Sequence, residues 1–187
     1  MLSAFGRRFL PFLLILYLWL GMGQKYVDSD YVVTISNDTL YGHIKNRKEG
    51  PFGKIYEKVR FRSRGVKKRF SPDDITTYKK DDELYKTGTI DGKKHFLQLV
   101  LEGQVIHYIY EFQEQGEELI HKVSYFKNGN SDLIRADLGL LGVRRKKLIR
   151  LFNDCPPLLE KLENKELNSA FDVAAFYNEW AKENLKG

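Results

Sequence analysis

Alternating apolar and polar residues predict antiparallel strands over the first two thirds of the chain. The clearest alternation spans residues 95–126, where turns at Glu102-Gly103 and Gln115-Gly116 would join three strands into a meander. With these turns, all three strands share one apolar face, which a one-residue slip in register would scramble. We therefore expect this meander to carry the core. That face would consist of Leu97, Leu99, Leu101, Ile106, Tyr108, Tyr110, Phe112, Leu119, Val123 and Tyr125.

Two shorter hairpins precede the meander. In residues 31–44, pairing of Ser36 with Thr39 around an Asn37-Asp38 turn is predicted. Its apolar face would contain Tyr31, Val33, Ile35, Leu40 and Ile44. In residues 58–70, an Arg64-Gly65 turn would place a second set of apolar residues on one face, namely Val59, Phe61, Val66 and Phe70.

The periodicity becomes helical from about residue 140 to the end. The second of the predicted helices begins with Cys155 as its N-cap and Pro156 at its first position, and the last begins at Ser169. The inward-facing residues would be Leu141, Leu148, Leu151, Phe152, Leu158, Leu159, Leu162, Val173, Phe176, Tyr177 and Trp180. Strands in a run followed by helices predict an α+β fold. We expect antiparallel hairpins that form a twisted sheet or partly closed barrel, covered by C-terminal helices.

The first 23 residues have the three parts of a secretory signal peptide. Arg7 and Arg8 supply the positive start, an uncharged Leu-rich segment follows, and small residues at Gly21 and Gly23 suit a signal peptidase. We therefore expect cleavage before Gln24 and a single exported domain over residues 24–187, strand-rich over 31–126 and helical over 140–187. The expected location is the periplasm, the cell surface or the medium. The alternative is an inner-membrane anchor formed by an uncleaved signal.

Charge and cysteine content narrow the classes of protein. Removal of the signal peptide, with its two arginines and no acid, lowers the net charge from +6 to +4, which is too small and too dispersed to indicate nucleic-acid binding. Cys155 is the only cysteine, so no intramolecular disulfide can form. We expect it to be a buried, structural residue at its helix start.

The polar face of the hairpin at residues 58–70 is strongly basic. Arg60 would lie opposite Arg69, and Arg62 opposite Lys67, and like charges opposed across strands are destabilising. An acidic partner is therefore expected. It could be internal, from the acids between Asp73 and Glu83, or external, in which case Arg60, Arg62, Lys67 and Arg69 form an anion-binding face. Arg144-Arg145-Lys146-Lys147 with Arg150 is a second basic cluster, and the sequence does not place it relative to the first.

No catalytic, cofactor-binding or metal-binding residue is nominated. The four histidines lack the spacing of a zinc site, and the acids between Asp73 and Glu83 lack the spacing of a calcium loop. The predicted meander would align Gln98, His107 and Ser124 across its second face, an order similar to a nucleophile, base and orienting group. Polar residues on the second face of an antiparallel sheet commonly form such rows without any chemistry.

Three short segments carry a resemblance to a known family. Asn37-Asp38-Thr39-Leu40-Tyr41-Gly42, Phe70-Ser71-Pro72-Asp73-Asp74-Ile75 and Asp154-Cys155-Pro156 resemble a family of uncharacterised exported proteins common in Bacteroidota. The resemblance implies an envelope location and a strand-rich domain with C-terminal helices. It implies no activity and no functional residues.

The leading functional hypothesis is a non-enzymatic exported module that binds an anionic envelope or surface partner. Lipid headgroups, an acidic glycan or an acidic protein patch would each fit, and nucleic acid would not. The alternative is a small-ligand carrier in which the sheet curls around an aromatic-lined cavity. An enzyme without a recognisable motif is the third hypothesis.

Overall fold

The protein has an α+β fold in which antiparallel strands come first and helices follow. The computed structural model describes residues 30–46, 58–114, 119–139 and 141–185. The predicted signal peptide, its cleavage site before Gln24 and the predicted Gln115-Gly116 turn lie outside these residues. Within the described ranges, no helix has the length and apolar character needed to cross a bilayer.

The described residues form eleven strands and three helices. The strands are β1 (Tyr31–Thr34), β2 (Thr39–Tyr41), β3 (His43–Lys45), β4 (Val59–Ser63), β5 (Val66–Phe70), β6 (Ile75–Lys80), β7 (Glu83–Ile90), β8 (Lys93–Leu101), β9 (Val105–Gln113), β10 (Ile120–Asn128) and β11 (Ile134–Arg135). The helices are α1 (Arg145–Leu151), α2 (Pro156–Glu163) and α3 (Ala170–Asn184).

The strands form two antiparallel sheets. The large sheet has the order β11-β10-β9-β8-β7-β6-β1-β2, and the small sheet has the order β3-β4-β5. Among the described strands, the two ends of the large sheet do not pair, so this sheet is open and does not close into a barrel. The chain passes between the sheets at Gly42, where a Cβ would lie 2.6 Å from the Arg62 carbonyl oxygen and 2.7 Å from the Phe61 ring. Only glycine fits this crossing point.

The β1–β2 hairpin has a longer turn than the sequence predicted. Val33 pairs with Thr39, and residues 34–38 form the turn, with Asn37 at a left-handed φ of 65° and the Asp38 N–H donating to Thr34 Oγ1. The register therefore differs from the predicted one by an odd number of residues, which reverses the faces of β1. Val32 is fully buried instead. The predicted inward face of Tyr31, Val33 and Ile35 is wrong.

The meander of β8, β9 and β10 keeps its predicted faces except at Leu101, although both registers differ from the prediction. Leu99 pairs with Tyr108, and Tyr108 pairs with Tyr125, a shift of two residues in each hairpin. Side chains alternate with a period of two, so a shift of two leaves the residues before the bulge in β8, and those of β9 and β10, on their predicted faces. A bulge between Leu99 and Leu101 places Leu101 opposite His107, where it packs against the cluster of Val105 and Phe126. The predicted position of Leu101 on the face of Leu99 is therefore wrong.

Both faces of the meander are covered, not one. On the predicted face Leu97 and Tyr108 are buried with Leu133 packed against them, whereas Leu119 is 64% exposed. On the opposite face Val105 and Phe126 are fully buried in a cluster shared with the helices. The meander therefore contributes to the core from both faces, and the predicted face holds only part of the buried residues.

The helix starts follow their sequence signals. Cys155 is the N-cap of α2 with Pro156 directly after it, and the cysteine is fully buried, which raises its thiol pKa. Ser169 is the N-cap of α3, and its hydroxyl accepts a 3.1 Å hydrogen bond from the Asp172 N–H. Leu141 is 82% exposed, so its predicted inward position is wrong.

Two large clusters of buried residues lie at opposite ends of one face of the large sheet. Register places Val32, Tyr78 and Tyr85 in one row on this face, and Phe126 lies on the same face of β10. The small sheet covers the first end, and the helices cover the second. The first cluster contains Val32, Ile44, Val59, Phe61, Phe70, Ile75, Tyr78, Tyr85 and Phe96. The second contains Val105, Phe126, Ala136, Val143, Leu148, Phe152, Cys155, Leu158, Leu162, Ala170, Val173, Ala174, Tyr177 and Ala181.

Candidate anion-binding surface

The small sheet arranges six basic or titratable side chains in two rows on one face. In the first row Lys45 pairs with Arg60, which pairs with Arg69. In the second row, which lies two residues further along β4, His43 pairs with Arg62, which pairs with Lys67. Residues two apart on a strand point to the same side, so all six share one face. We call this surface the cationic face.

The sequence predicted four of these six residues. The predicted pairs of Arg60 with Arg69 and of Arg62 with Lys67 are confirmed. His43 and Lys45 were missed, because the predicted hairpin of residues 31–44 paired His43 with the first strand and ended before Lys45. The signal was local: His43 and Lys45 flank the apolar Ile44, an alternation typical of a half-buried strand.

The opposite face of the small sheet holds the cationic face in place. Val59, Phe61 and Phe70 are buried against the large sheet, as predicted. Val66, also predicted to face inward, is 50% exposed near the hairpin tip. Because the apolar side chains occupy the buried side, the alternating basic side chains must face solvent.

The β4–β5 hairpin turns at Arg64 and Gly65, as predicted. Their φ values are 42° and 83°, and two consecutive positive values are typical of a two-residue turn that matches strand twist. Residues 58–69 contain seven lysines and arginines and no acidic residue. All charged side chains of this hairpin are therefore positive.

Buried Asp30 holds β3 beside the large sheet. Its Oδ2 accepts a 2.9 Å hydrogen bond from the Ile44 N–H, and its Oδ1 accepts one from the Asp81 N–H at 2.9 Å. The same Oδ2 lies 3.7 Å from His43 Nδ1. Asp30 thus contacts the end of the second row, and its oxygens are already used by main-chain donors.

The predicted internal acids pair elsewhere. Asp73 forms an ion pair with Lys94 at 3.1 Å, and Asp81 forms one with Lys80 at 2.9 Å. Among the described residues, no carboxylate lies within ion-pair distance of the four basic residues predicted for this face, Arg60, Arg62, Lys67 and Arg69. Their charges are not neutralised within the described part of the chain.

Asp74 and Glu83 also have other partners. The Asp74 carboxylate accepts hydrogen bonds from the Ser71 hydroxyl and N–H, and these bonds, together with the charge of Lys58, lower its pKa. Glu83 accepts from the Tyr85 hydroxyl at 2.8 Å. The charge of Lys58, at the base of the hairpin, thus acts on Asp74.

A groove of about 580 Å³ runs over the cationic face. Residues from all strands of the small sheet line it: His43, Lys45, Arg60, Phe61, Arg62, Lys67, Lys68 and Arg69. Guanidinium groups donate several hydrogen bonds in a plane and suit carboxylate or phosphate oxygens. The arrangement can therefore bind anionic groups at several neighbouring points.

The second basic cluster is separate from the first. Lys146 and Arg150 are exposed on α1, whereas Arg144 and Lys147 line another groove together with Arg135 and the carboxylates of Asp91 and Asp132. This groove adjoins β11 at the end of the large sheet remote from β1 and β2, near which the small sheet packs. The two clusters do not form one surface.

The predicted row of Gln98, His107 and Ser124 does not form. The shifted registers pair Gln98 and Ser124 with Ile109, and His107 lies between Leu101 and Phe126. His107 is 2% exposed, and burial lowers its pKa to about 4. Neither ring nitrogen has a hydrogen-bond partner within the described part of the chain.

Within the ranges that the structure describes, no group of three His, Cys, Asp or Glu side chains could hold a metal ion. The large sheet is open among its described strands and does not close into a barrel. Comparisons of the chain with protein families, with characterised proteins and with solved structures found no match. The resemblance to the Bacteroidota family stays a prediction.

Proposed function

We propose that the protein is an exported, non-enzymatic binding module that engages an anionic envelope or surface partner through the cationic face. The observation that carries this proposal is the pair of three-residue rows, in which Arg60 lies beside Arg69 and Arg62 beside Lys67 without a described acid nearby. Opposed like charges cost free energy in a sheet. An external anion would offset that cost when it binds. The signal-like start of the sequence supports the exported location.

Salt and surface variants test this proposal with the chain that begins at Gln24. We expect it to bind phosphatidylglycerol vesicles or polyglutamate, and to bind them more weakly as salt rises from about 50 to 500 mM, because the Debye length falls several-fold. Phosphatidylcholine vesicles provide the uncharged control surface. Absence of binding to both anionic probes at low salt would refute the proposal.

The double substitution Arg60→Ser and Arg69→Ser should lower the affinity for either probe at least tenfold. Its unfolding midpoint in urea should stay equal or rise slightly, because the opposed charges are relieved. Lys146→Ser with Arg150→Ser removes the same net charge from exposed positions on α1. If both double variants lose affinity equally, net charge explains the binding and the cationic face does not.

A further inference from the structure

The outer strand of the small sheet has an open edge. β5 follows β4 in the order β3-β4-β5, and within the described residues no strand pairs with its other side. Residues Val66 to Arg69 are exposed. An unpaired edge offers main-chain N–H and C=O groups to another extended chain.

The hairpin register determines which main-chain groups face outward. In a two-residue hairpin the residues flanking the turn form a hydrogen-bonded pair, here Ser63 with Val66, and such pairs then alternate along the ladder. Lys68 consequently directs its main-chain groups toward β4. Lys67 and Arg69 direct theirs away from β4, to the open edge.

These same residues are the outer members of the two rows. The Lys67 side chain ends the row of His43 and Arg62, and the Arg69 side chain ends the row of Lys45 and Arg60. No described residue forms a hydrogen bond to the outward main-chain groups of Lys67 or Arg69. Main-chain donors and acceptors therefore coincide with positive side chains at two positions spaced two residues apart.

We propose that β5 binds an extended acidic peptide segment as a fourth antiparallel strand, with carboxylates at alternate positions opposite Lys67 and Arg69. This inference rests on the proposed function and names its partner class. Directly opposed side chains across antiparallel strands are about 4.5–5.5 Å apart at Cβ, which allows each carboxylate to meet a cation. Strand addition of this kind takes affinity from the main chain and specificity from alternate side chains.

Charge favours an acidic peptide over a second copy of the chain as the partner of β5. Two β5 edges placed side by side would bring Lys67, Lys68 and Arg69 against the same residues, and lysines at an edge oppose such pairing. A membrane surface would engage the side chains and leave the outward main-chain groups unpaired. The acidic peptide satisfies both kinds of group.

Site-specific N-methylation of a synthetic peptide tests the inference. The probe is acetyl-Thr-Glu-Thr-Glu-Thr-Glu-Thr-amide, whose glutamates would form the hydrogen-bonded pairs with Lys67 and Arg69. Methylation of the glutamate amides removes the donors that face β5, and we expect at least a tenfold loss of affinity. Methylation of the threonine amides, which face away, should change affinity less than about threefold with the same charge.

Protein variants and amide exchange supply independent readouts. Lys67→Gln with Arg69→Gln should weaken peptide binding at least tenfold, whereas Lys146→Gln with Arg150→Gln should not. Bound peptide should slow hydrogen exchange at the Lys67 and Arg69 amides more than at Lys68, whose N–H already faces β4. Circular dichroism and urea midpoints of each variant show whether it is folded.

The possible failures are distinguishable. If the protein binds phosphatidylglycerol vesicles but binds the peptide equally well after glutamate-amide methylation, or does not bind it at all, strand addition is wrong and the proposed function stands. If it binds neither vesicles, polyglutamate nor peptide at low salt, the proposed function fails as well.

Discussion

At the scale of single residues, His107 is a titratable side chain buried beside an aromatic ring. Its ring centroid lies 5.4 Å from that of Phe126, and the residue is 2% exposed. Its ring nitrogens have no described partner, and the charge of Asp137 only partly offsets the effect of burial on its pKa. Burial of this kind favours the neutral form of the imidazole in the folded protein.

Stability should therefore fall in mild acid because of His107. Its pKa is about 4 in the folded protein and about 6.5 when unfolded, so the unfolded state binds the proton more tightly between these values. The contribution is fully present above pH 6.5 and is lost as pH falls toward 4, by up to about 3 kcal/mol. His107→Leu should flatten this part of the stability–pH curve in urea titrations. If the stability–pH curves of the original protein and of His107→Leu were parallel, His107 would not be the cause of the loss of stability in acid.

At the scale of elements, Asn178 docks α3 onto the connection between β8 and β9. Its Oδ1 accepts from the Val105 N–H at 2.8 Å, and its Nδ2 donates to the Val105 carbonyl at 2.9 Å. A Cβ at Gly103 would lie 2.4 Å from the Asn178 side chain. The helix thus takes the place of β8 beside Val105, which still pairs with Asn128 of β10, and it fits closely over the turn.

Substitution of Asn178 should destabilise the protein strongly. Asn178→Ala would leave two buried main-chain groups without partners, and we expect a loss of about 2–4 kcal/mol in the free energy of unfolding. Glu179→Ala, at the next position on α3, removes an exposed pair with Lys182 and should change stability by less than about 0.5 kcal/mol. Similar unfolding midpoints for both variants would show that the docking bonds matter little.

At the scale of the whole molecule, the large sheet joins two clusters that share no buried residue. The cluster around Phe61 lies under the small sheet, and the cluster around Leu158 lies under the helices. Such separation favours local opening of each end without the other. We therefore expect the end that carries the cationic face to open independently of the helical end.

Native-state hydrogen exchange tests this separation. Phe61→Ala should lower amide protection in β3, β4 and β5 while α3 keeps its protection, and Leu158→Ala should do the reverse. Each substitution removes a large buried side chain, so each should cost about 2–5 kcal/mol at its own end. An equal loss of protection over both ends would mean that the protein unfolds as one unit.

The sequence by itself determined the features that depend on residues close together in the chain. The Arg64-Gly65 turn and the alternation around it set the β4–β5 register, because a two-residue turn leaves only one pairing consistent with burial. The caps at Cys155 and Ser169 were predictable for the same reason, since they depend on residues within one turn. The α+β class followed from the order of these local elements.

Only the tertiary structure decided the contacts between residues far apart in the chain. Crossing of the chain at Gly42 adds β3 to the basic hairpin. The resulting rows include His43, which local alternation had assigned to another hairpin, and Lys45, which lay beyond that hairpin. The turn after β8 is held by Asn178, 73 residues beyond Val105, so no local pattern could set its register. A period of two specifies which face a side chain occupies, but its partners depend on what packs there.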